Sequence, residues 1–189
     1  FWFEKFIHIS SNQNVSFVNK KINIKTIQRK FDFKILDKQN FIEYSPLGLE
    51  YLKNIFKFIK KNNGGLLIID YGYFAEKMKD TLQAIYKKKY SNVLENINKS
   101  DITYSINFFL IKKISQSFKE LSINFTTQKS FLTKLGIRQR AEIISKNKTF
   151  TEKIDIFYRL KRLIDEKEMG DLFKVMLIKN SINNSQIGF

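Results

Sequence analysis

Cysteine is absent from this sequence of 189 residues, and histidine occurs once, at His8. The first absence excludes structural disulfides and thiolate metal sites. The second excludes histidine-cluster metal centres and leaves little for serine–histidine chemistry, and His8 between Ile7 and Ile9 reads as a strand residue. Seven glycines are present, yet none falls in a G-x-G-x-x-G or Walker pattern, because Gly64-Gly65 stands before its strand rather than after it. Proline is confined to Pro46. No apolar run approaches the ~20 residues of a membrane-spanning helix. Acidic residues are scarce, 18 against 34 lysines and arginines, for a net charge of +16.

Such a charge ordinarily suggests nucleic acid or an anionic membrane surface. Here it is nearly all lysine spread along the chain, with arginine only at positions 29, 138, 140, 159 and 162. Lysine, asparagine, isoleucine, phenylalanine and tyrosine are abundant together, as an AT-rich coding sequence produces. Lys60-Lys61 and Lys87-Lys88-Lys89 read as solvated faces, so no specific nucleic acid is expected. The excess still favours acidic partners through salt-sensitive contacts. An RNA-binding module lacks its aromatic strand motifs here. The hydrophobic fraction of 43% supports a globular domain with a core of its own.

The stretch that organises the chain is Gly64-Gly65-Leu66-Leu67-Ile68-Ile69-Asp70-Tyr71-Gly72-Tyr73. An apolar run without polar alternation predicts a strand covered on both faces, inside a parallel sheet. Ligands of open α/β sheets sit at carboxyl strand ends, which places Asp70, Tyr71 and Gly72 where chemistry occurs. Upstream, residues 1–44 read as a β ribbon. Phe3, Lys5 and Ile7 share one side, Ser10–Asn14 turn, and Val15 resumes the extended chain. Ile22 and Ile24, then Phe31, Phe33 and Ile35, alternate as in half-wet strands. Ser45-Pro46 caps a helix running to about Lys61 through Leu49, Leu52, Phe56 and Ile59.

Residues 74–103 show weak periodicity and predict a long ordered loop. A helix follows with Asn107 as its cap and Ile111, Ile114, Phe118 and Leu121 as its stripe. Residues 123–126 read as a strand, and Phe131, Leu132 and Leu135 as a short helix stopped by a left-handed Gly136. Arg138–Ser145 continues helical. Thr149 and Glu152 form a capping box ahead of a helix facing inward through Phe157, Leu160 and Ile164. Residues 172–178 read as the last strand, and 181–189 as a flexible tail.

The carboxylates left for chemistry are Glu4, Glu43, Asp70 and Asp101. Carboxylates at strand ends can hold a guanidinium through paired hydrogen bonds, although each alone also reads as a cap or turn former. Several fragments together resemble, in the correct order, the MidA family of S-adenosylmethionine-dependent methyltransferases. These are Trp2-Phe3-Glu4-Lys5, Glu43-Tyr44-Ser45-Pro46, the run 64–73, Asp80–Ala84, Asp101-Ile102-Thr103, Thr127-Gln128 through Ile137, Arg140-Ala141-Glu142 and Met169–Val175. Two departures stand out: Lys5 replaces an arginine, and Ser105-Ile106-Asn107-Phe108 stands where the family has His-Val-Asp-Phe.

The resemblance implies an α/β fold, a partial class I (Rossmann-like) methyltransferase sheet. In it, 65–70 would be the fifth strand, 123–126 the sixth and 172–178 the antiparallel seventh, with 1–44 an antiparallel β insertion and 45–180 the C-terminal half. It also implies methyl transfer to protein arginine, notably on a subunit of respiratory complex I, in bacterial cytoplasm or a mitochondrion. Glu43, Asp70 and Asp101 would hold the guanidinium, with Trp2, Glu4, Tyr71, Gly72 and Thr103 as substrate contacts. The cofactor motif for S-adenosylmethionine would lie upstream of Trp2, so the chain reads as a fragment with an incomplete cofactor pocket. The alternative is a non-catalytic interaction protein that presents a basic methyltransferase scaffold to an acidic partner.

Overall fold

A computed structural model describes residues 1–31, 33–35, 39–184 and 186–189. In chain order the elements begin with β1 (Trp2–Ile9), β2 (Val15–Ile22), α1 (Ile24–Gln28), α2 (Pro46–Asn62) and β3 (Gly65–Tyr73). There follow β4 (Gln83–Tyr86), β5 (Lys89–Ser91), β6 (Asp101–Thr103), β7 (Ile106–Asn107) and α3 (Phe108–Ser115). The chain ends with β8 (Leu121–Thr127), α4 (Gln128–Lys134), α5 (Ile137–Ser145), α6 (Phe150–Ile164), α7 (Met169–Leu172) and β9 (Phe173–Asn180). They form two compact units, one of residues 1–43 with 77–105, the other of 44–76 with 106–189. Sequence places the ribbon boundary at 44; in the structure residues 77–105 join the ribbon.

In the first unit β1 and β2 pair antiparallel from Trp2↔Ile22 to Ile9↔Val15. The turn closes where Gln13 takes a φ of 59° and donates its N–H to the Ser10 carbonyl at 2.9 Å. The strand alternation expected from Ile22 and Ile24 stops there. Asn23 Oδ1 accepts the Lys25 N–H at 3.1 Å and starts α1, a local cap that outweighs a two-residue apolar alternation. Phe31 and Ile35 are buried but lie outside any strand. The Gln28 side chain holds that bend, donating to the Phe33 carbonyl at 2.6 Å and accepting from the Ile35 N–H at 3.1 Å.

Residues 74–103 are not a plain loop. They contain a three-stranded antiparallel sheet of order β5-β4-β6, with Ala84 wholly buried in the central strand. The β4–β5 hairpin turns through Lys87 and Lys88, at φ 48° and 65°, with Tyr86 opposite Lys89. Two consecutive left-handed residues are the signature of the tight hairpin turn that matches strand twist, a geometry usually advertised by asparagine or glycine.

The second unit is α/β, with a mixed sheet of order β7-β3-β9-β8. β9 lies antiparallel to β3 from Gly65↔Lys179 to Tyr71↔Phe173, and antiparallel to β8 from Leu121↔Asn180 to Thr127↔Lys174. β7 runs parallel to β3 at only two positions, Gly72↔Ile106 and Tyr73↔Asn107. The Ser45 hydroxyl accepts the Gly48 N–H at 3.0 Å, Pro46 occupies the first turn, and left-handed Asn63 ends α2. α2 buries Leu49, Phe56 and Ile59, and the Phe56 ring meets Phe118 edge-on at 5.4 Å. Phe108 sits against Phe125 at 5.6 Å, and Phe108, Val175, Met176 and Ile178 are fully buried.

Four expectations are corrected here. β3 is not covered on both faces: Leu67 and Ile69 are 47% and 48% exposed. Hydrophobicity reports that a strand seeks cover, not that cover is present. α3 ends at Ser115, so Phe118 lies in the following turn and Leu121 opens β8. Phe157 is exposed on α6, whereas Ile164 is buried. Leu172 closes α7 and is exposed, and β9 begins one residue later. Asn107 caps α3 and Gly136 is left-handed at φ 79°, as the sequence indicates. The last segment is anchored at its end, where the Phe189 ring packs on Phe131 at 5.3 Å.

Candidate functional site

Of the carboxylates singled out by sequence, Glu43 is the one held most firmly. It follows the Phe41-Ile42 segment, half-buried, in the first unit. Its Oε2 accepts the Thr81 hydroxyl at 2.5 Å and its Oε1 the Thr81 N–H at 3.3 Å. Thr81 is itself fixed, because its hydroxyl oxygen accepts the Ser105 N–H at 2.9 Å. The carboxylate is therefore oriented by a side chain that is oriented in turn. A carboxylate offers about four lone-pair sites, so two accepted bonds leave capacity for a paired donor such as a guanidinium.

Asp101 lies in the same unit on β6, opposite Ile85, and is exposed. Thr103, two residues on, shares its side of the strand and accepts from the Gln83 amide at 3.2 Å. Trp2 and Glu4 sit on β1 opposite Ile22 and Lys20, Trp2 half-buried and Glu4 exposed.

Asp70, Tyr71 and Gly72 belong to the second unit, at the carboxyl end of β3. Asp70 Oδ1 accepts the N–H of Tyr71 at 2.8 Å, so the carboxylate bends back to its own strand end. The Tyr71 ring stands edge-on to Phe173 at 5.9 Å. Gly72 passes against the Ile106 backbone and the Phe108 ring, a closeness that only a residue without Cβ accepts. Beside it Asn107 is 8% exposed and accepts the N–H groups of Phe109 and Leu110 at 3.0 and 3.3 Å. Its Nδ2 is buried without a partner in the structure.

Sequence reasoning named the segment of Thr81 but not its role, and it missed Ser105 as a contributor. Glu43 and Thr81 are 38 positions apart, and no local pattern announces that pairing. Away from these residues, a shallow groove on the helical side of the second unit is lined by Lys129, Arg138, Phe157, Leu160, Lys161 and Ile164. It contains none of the candidate carboxylates, and Lys129 there is paired with Glu166 at 2.7 Å. Among the described residues no cluster of histidine, aspartate and glutamate could hold a metal ion, and no helix is long and apolar enough to cross a membrane.

The profile of a family described as "Putative S-adenosyl-L-methionine-dependent methyltransferase" matches residues 2–126. The mitochondrial "Protein arginine methyltransferase NDUFAF7" of Danio rerio is 25% identical over 128 residues, which is 68% of this chain and 30% of that protein. The Mus musculus protein of the same name is 25% identical over 138 residues, covering 72% of this chain and 31% of its own length. Two crystal structures from Burkholderia thailandensis, one bound to S-adenosyl-homocysteine, each superpose on the whole chain with a TM-score of 0.79 at 18% identity. The chain covers 51% and 50% of them, so it spans about half of these solved chains and about a third of the curated relatives.

Proposed function

We propose that this chain, which belongs to the family described as "Putative S-adenosyl-L-methionine-dependent methyltransferase", is the substrate-holding, C-terminal portion of a protein arginine methyltransferase. The observation that carries the reading is the Glu43 carboxylate, braced by Thr81 and through it by Ser105. Methylating arginine demands that a cationic, planar group be held with its charge balanced while one nitrogen is aimed, and positioning supplies much of the rate. A carboxylate whose orientation is fixed beforehand does that with little reorganisation. The further candidates fall by unit: Asp101, Thr103, Trp2 and Glu4 in the first, and Asp70, Tyr71 and Gly72 in the second. The names of the curated relatives support arginine as the methylated residue.

In this reading β3, β8 and β9 are the fifth, sixth and seventh strands of a methyltransferase sheet. The order β3-β9-β8 with β9 antiparallel supports it. S-adenosylmethionine supplies an electrophilic methyl group when bound. The glycine-rich turn that cradles such a cofactor is not among the seven glycines here, so the residues of this chain do not by themselves fit it. They serve the substrate side, holding the guanidinium and keeping its charge paired. The cofactor side comes from polypeptide outside this sequence. The compartment proposed is bacterial cytoplasm or a mitochondrion, and the substrate is a protein, with a respiratory complex I subunit suggested by the family resemblance alone.

Two measurements test this. Isothermal titration of the chain with S-adenosylmethionine should show no saturable binding, and micromolar affinity would overturn the division of labour. Joined to the part of the Burkholderia protein that it does not cover, the chain should transfer labelled methyl groups to arginine-containing peptides. Transfer to lysine peptides only would sink the arginine assignment. The β1–β2 ribbon favours a second, non-catalytic reading, since Phe3, Ile7 and Ile9 are more than half exposed along it. Binding of an acidic protein that is lost on ribbon substitution, with no methyl transfer from the joined protein, would favour that reading.

A further inference from the structure

The groove bordered by α4, α5 and α6 lies wholly in the second unit and encloses about 440 Å³. The apolar stripe of α6 supplies its floor and loses cover toward the helix start. Ile164 is 6% exposed, Leu160 half-buried and Phe157 42% exposed. The space is preformed. The buried Gln128 side chain of α4 donates to the Leu163 carbonyl of α6 at 2.9 Å and fixes the two helices against each other. A ligand therefore meets a surface that needs little ordering.

The rim is charged unevenly. Both of its carboxylates are engaged: Glu166 takes the Lys129 ammonium at 2.7 Å, and Asp165 Oδ1 accepts the Lys167 N–H at 2.9 Å. Arg138, Lys161 and the Lys167 ammonium make no ion pair among the described residues. Arg138 is also set against the helix dipole. It stands in the first turn of α5, where no acidic residue and no side-chain cap answers it, and where a cation is locally unfavourable. An anion in the groove would offset the guanidinium and the helix end together.

We propose that this groove is a docking site for an acidic segment of a partner protein. One apolar side chain of that segment rests on Phe157, Leu160 and Ile164, and carboxylates beside it meet Arg138 and Lys161. A small anion would leave the apolar floor wet. A nucleic-acid strand carries a charge at every step and would face Asp165 and Glu166 as well, whereas a peptide sets its carboxylates only where cations wait. The net charge of +16 attracts such a segment from a distance, and the groove selects it. Neither methyl transfer nor the β1–β2 ribbon, which belongs to the other unit, enters into this docking.

Fluorescence polarisation tests this with the chain and a short fluorescein-labelled peptide in which glutamates flank one leucine. Binding should saturate. Arg138→Glu with Lys161→Glu should weaken it at least about tenfold. Lys57→Glu with Lys61→Glu makes the same change in net charge at exposed positions of α2, and should weaken it less than about twofold. Serine in place of the peptide's leucine, which leaves the protein untouched, should weaken binding at least about fivefold, and so should Phe157→Ser. Equal losses in the two charge-reversed proteins, or indifference to the leucine, would reduce the binding to bulk attraction and overturn the site. A single-stranded RNA that binds more tightly than the peptide, and is lost with Arg138 and Lys161, overturns it too. Joined to the uncovered part of the Burkholderia protein, the chain should still bind the peptide. If joining abolishes binding, the groove is an internal seam and the docking site falls.

Discussion

A methyl group on Gly72 would overlap the carbonyl oxygen of Ile106 and come within 2.9 Å of the Phe108 ring. The only parallel pairing β3 makes among the described residues depends on that missing atom. Replacement by alanine must push β7 away or bend the end of β3. Gly72→Ala should therefore cost about 1–3 kcal/mol in urea unfolding. Gly65→Ala on the same strand, where the nearest atom is 3.5 Å away, should stay within about 0.5 kcal/mol. Equal costs at the two positions would contradict the packing described here.

The Glu43–Thr81 pair separates stability from catalysis. Thr81→Val removes a hydroxyl that donates to Glu43 and accepts from Ser105, leaving part-buried groups short of partners. It should destabilise the protein by about 1–3 kcal/mol. Glu43→Gln keeps an acceptor for the Thr81 hydroxyl but turns its amide NH2 toward the Thr81 N–H, so it should fold with a loss of about 1 kcal/mol. In the joined enzyme it should lower kcat/KM for an arginine peptide by about 10- to 100-fold, the loss of one charged hydrogen-bonding partner. Unaltered turnover in Glu43→Gln would remove Glu43 from the substrate.

Asn107 carries a built-in mismatch. Its oxygen is fully used as the cap of α3, while its Nδ2 is buried with nothing to donate to. Aspartate caps as well and places negative charge at a helix start where the dipole favours it, a gain set against the buried oxygen that takes the place of the orphan donor. Asn107→Asp should raise the unfolding midpoint at pH 7, with a gain of about 1 kcal/mol. A fall of similar size would mean that the amide donor has a use.

Acid should loosen the start of α6. The Thr149 N–H, then Lys148 and the Thr149 hydroxyl, hold the Glu152 carboxyl down from 4.5 to about 2. A carboxyl lower in the folded state than in the unfolded one contributes its stability in full above pH 4.5, and loses it as pH falls toward 2. Circular dichroism melts should therefore weaken through that window, and Glu152→Gln should flatten the decline there. An undiminished acid slope in Glu152→Gln would show that the capping box is not its source.

Sequence revealed those features whose cause is local. Ser45-Pro46 and Thr149–Glu152 each place their own acceptor beside the N–H groups it satisfies, so α2 and α6 start where expected. β9 was legible from its apolar run, and the left-handed Gly136 from its missing side chain. What stayed hidden has distant or atypical causes. Lys87 and Lys88 adopt a hairpin conformation that lysine does not advertise, so β4 and β5 read as loop. Asn23 starts a helix inside an apparent alternation. Leu67 and Ile69 are as apolar as any covered strand residue, and composition cannot tell whether cover exists. At the candidate site, the Glu43 residue type was readable, but its brace by Thr81 exists only once the chain has folded.

The position of β9 has a consequence for synthesis. It leaves the ribosome after both β3 and β8, yet it lies between them and pairs with each. Gly65 must wait for Lys179, and the Lys60 carbonyl for the Asn180 amide, before the sheet can zip. Nascent chains therefore expose β3 and β8 without the strand between them until β9 has been made, the interval in which chaperones guard and aggregates seed. A premature stop after Leu172 would leave every described helix segment intact and take from the β7-β3-β9-β8 sheet the strand that joins β3 to β8.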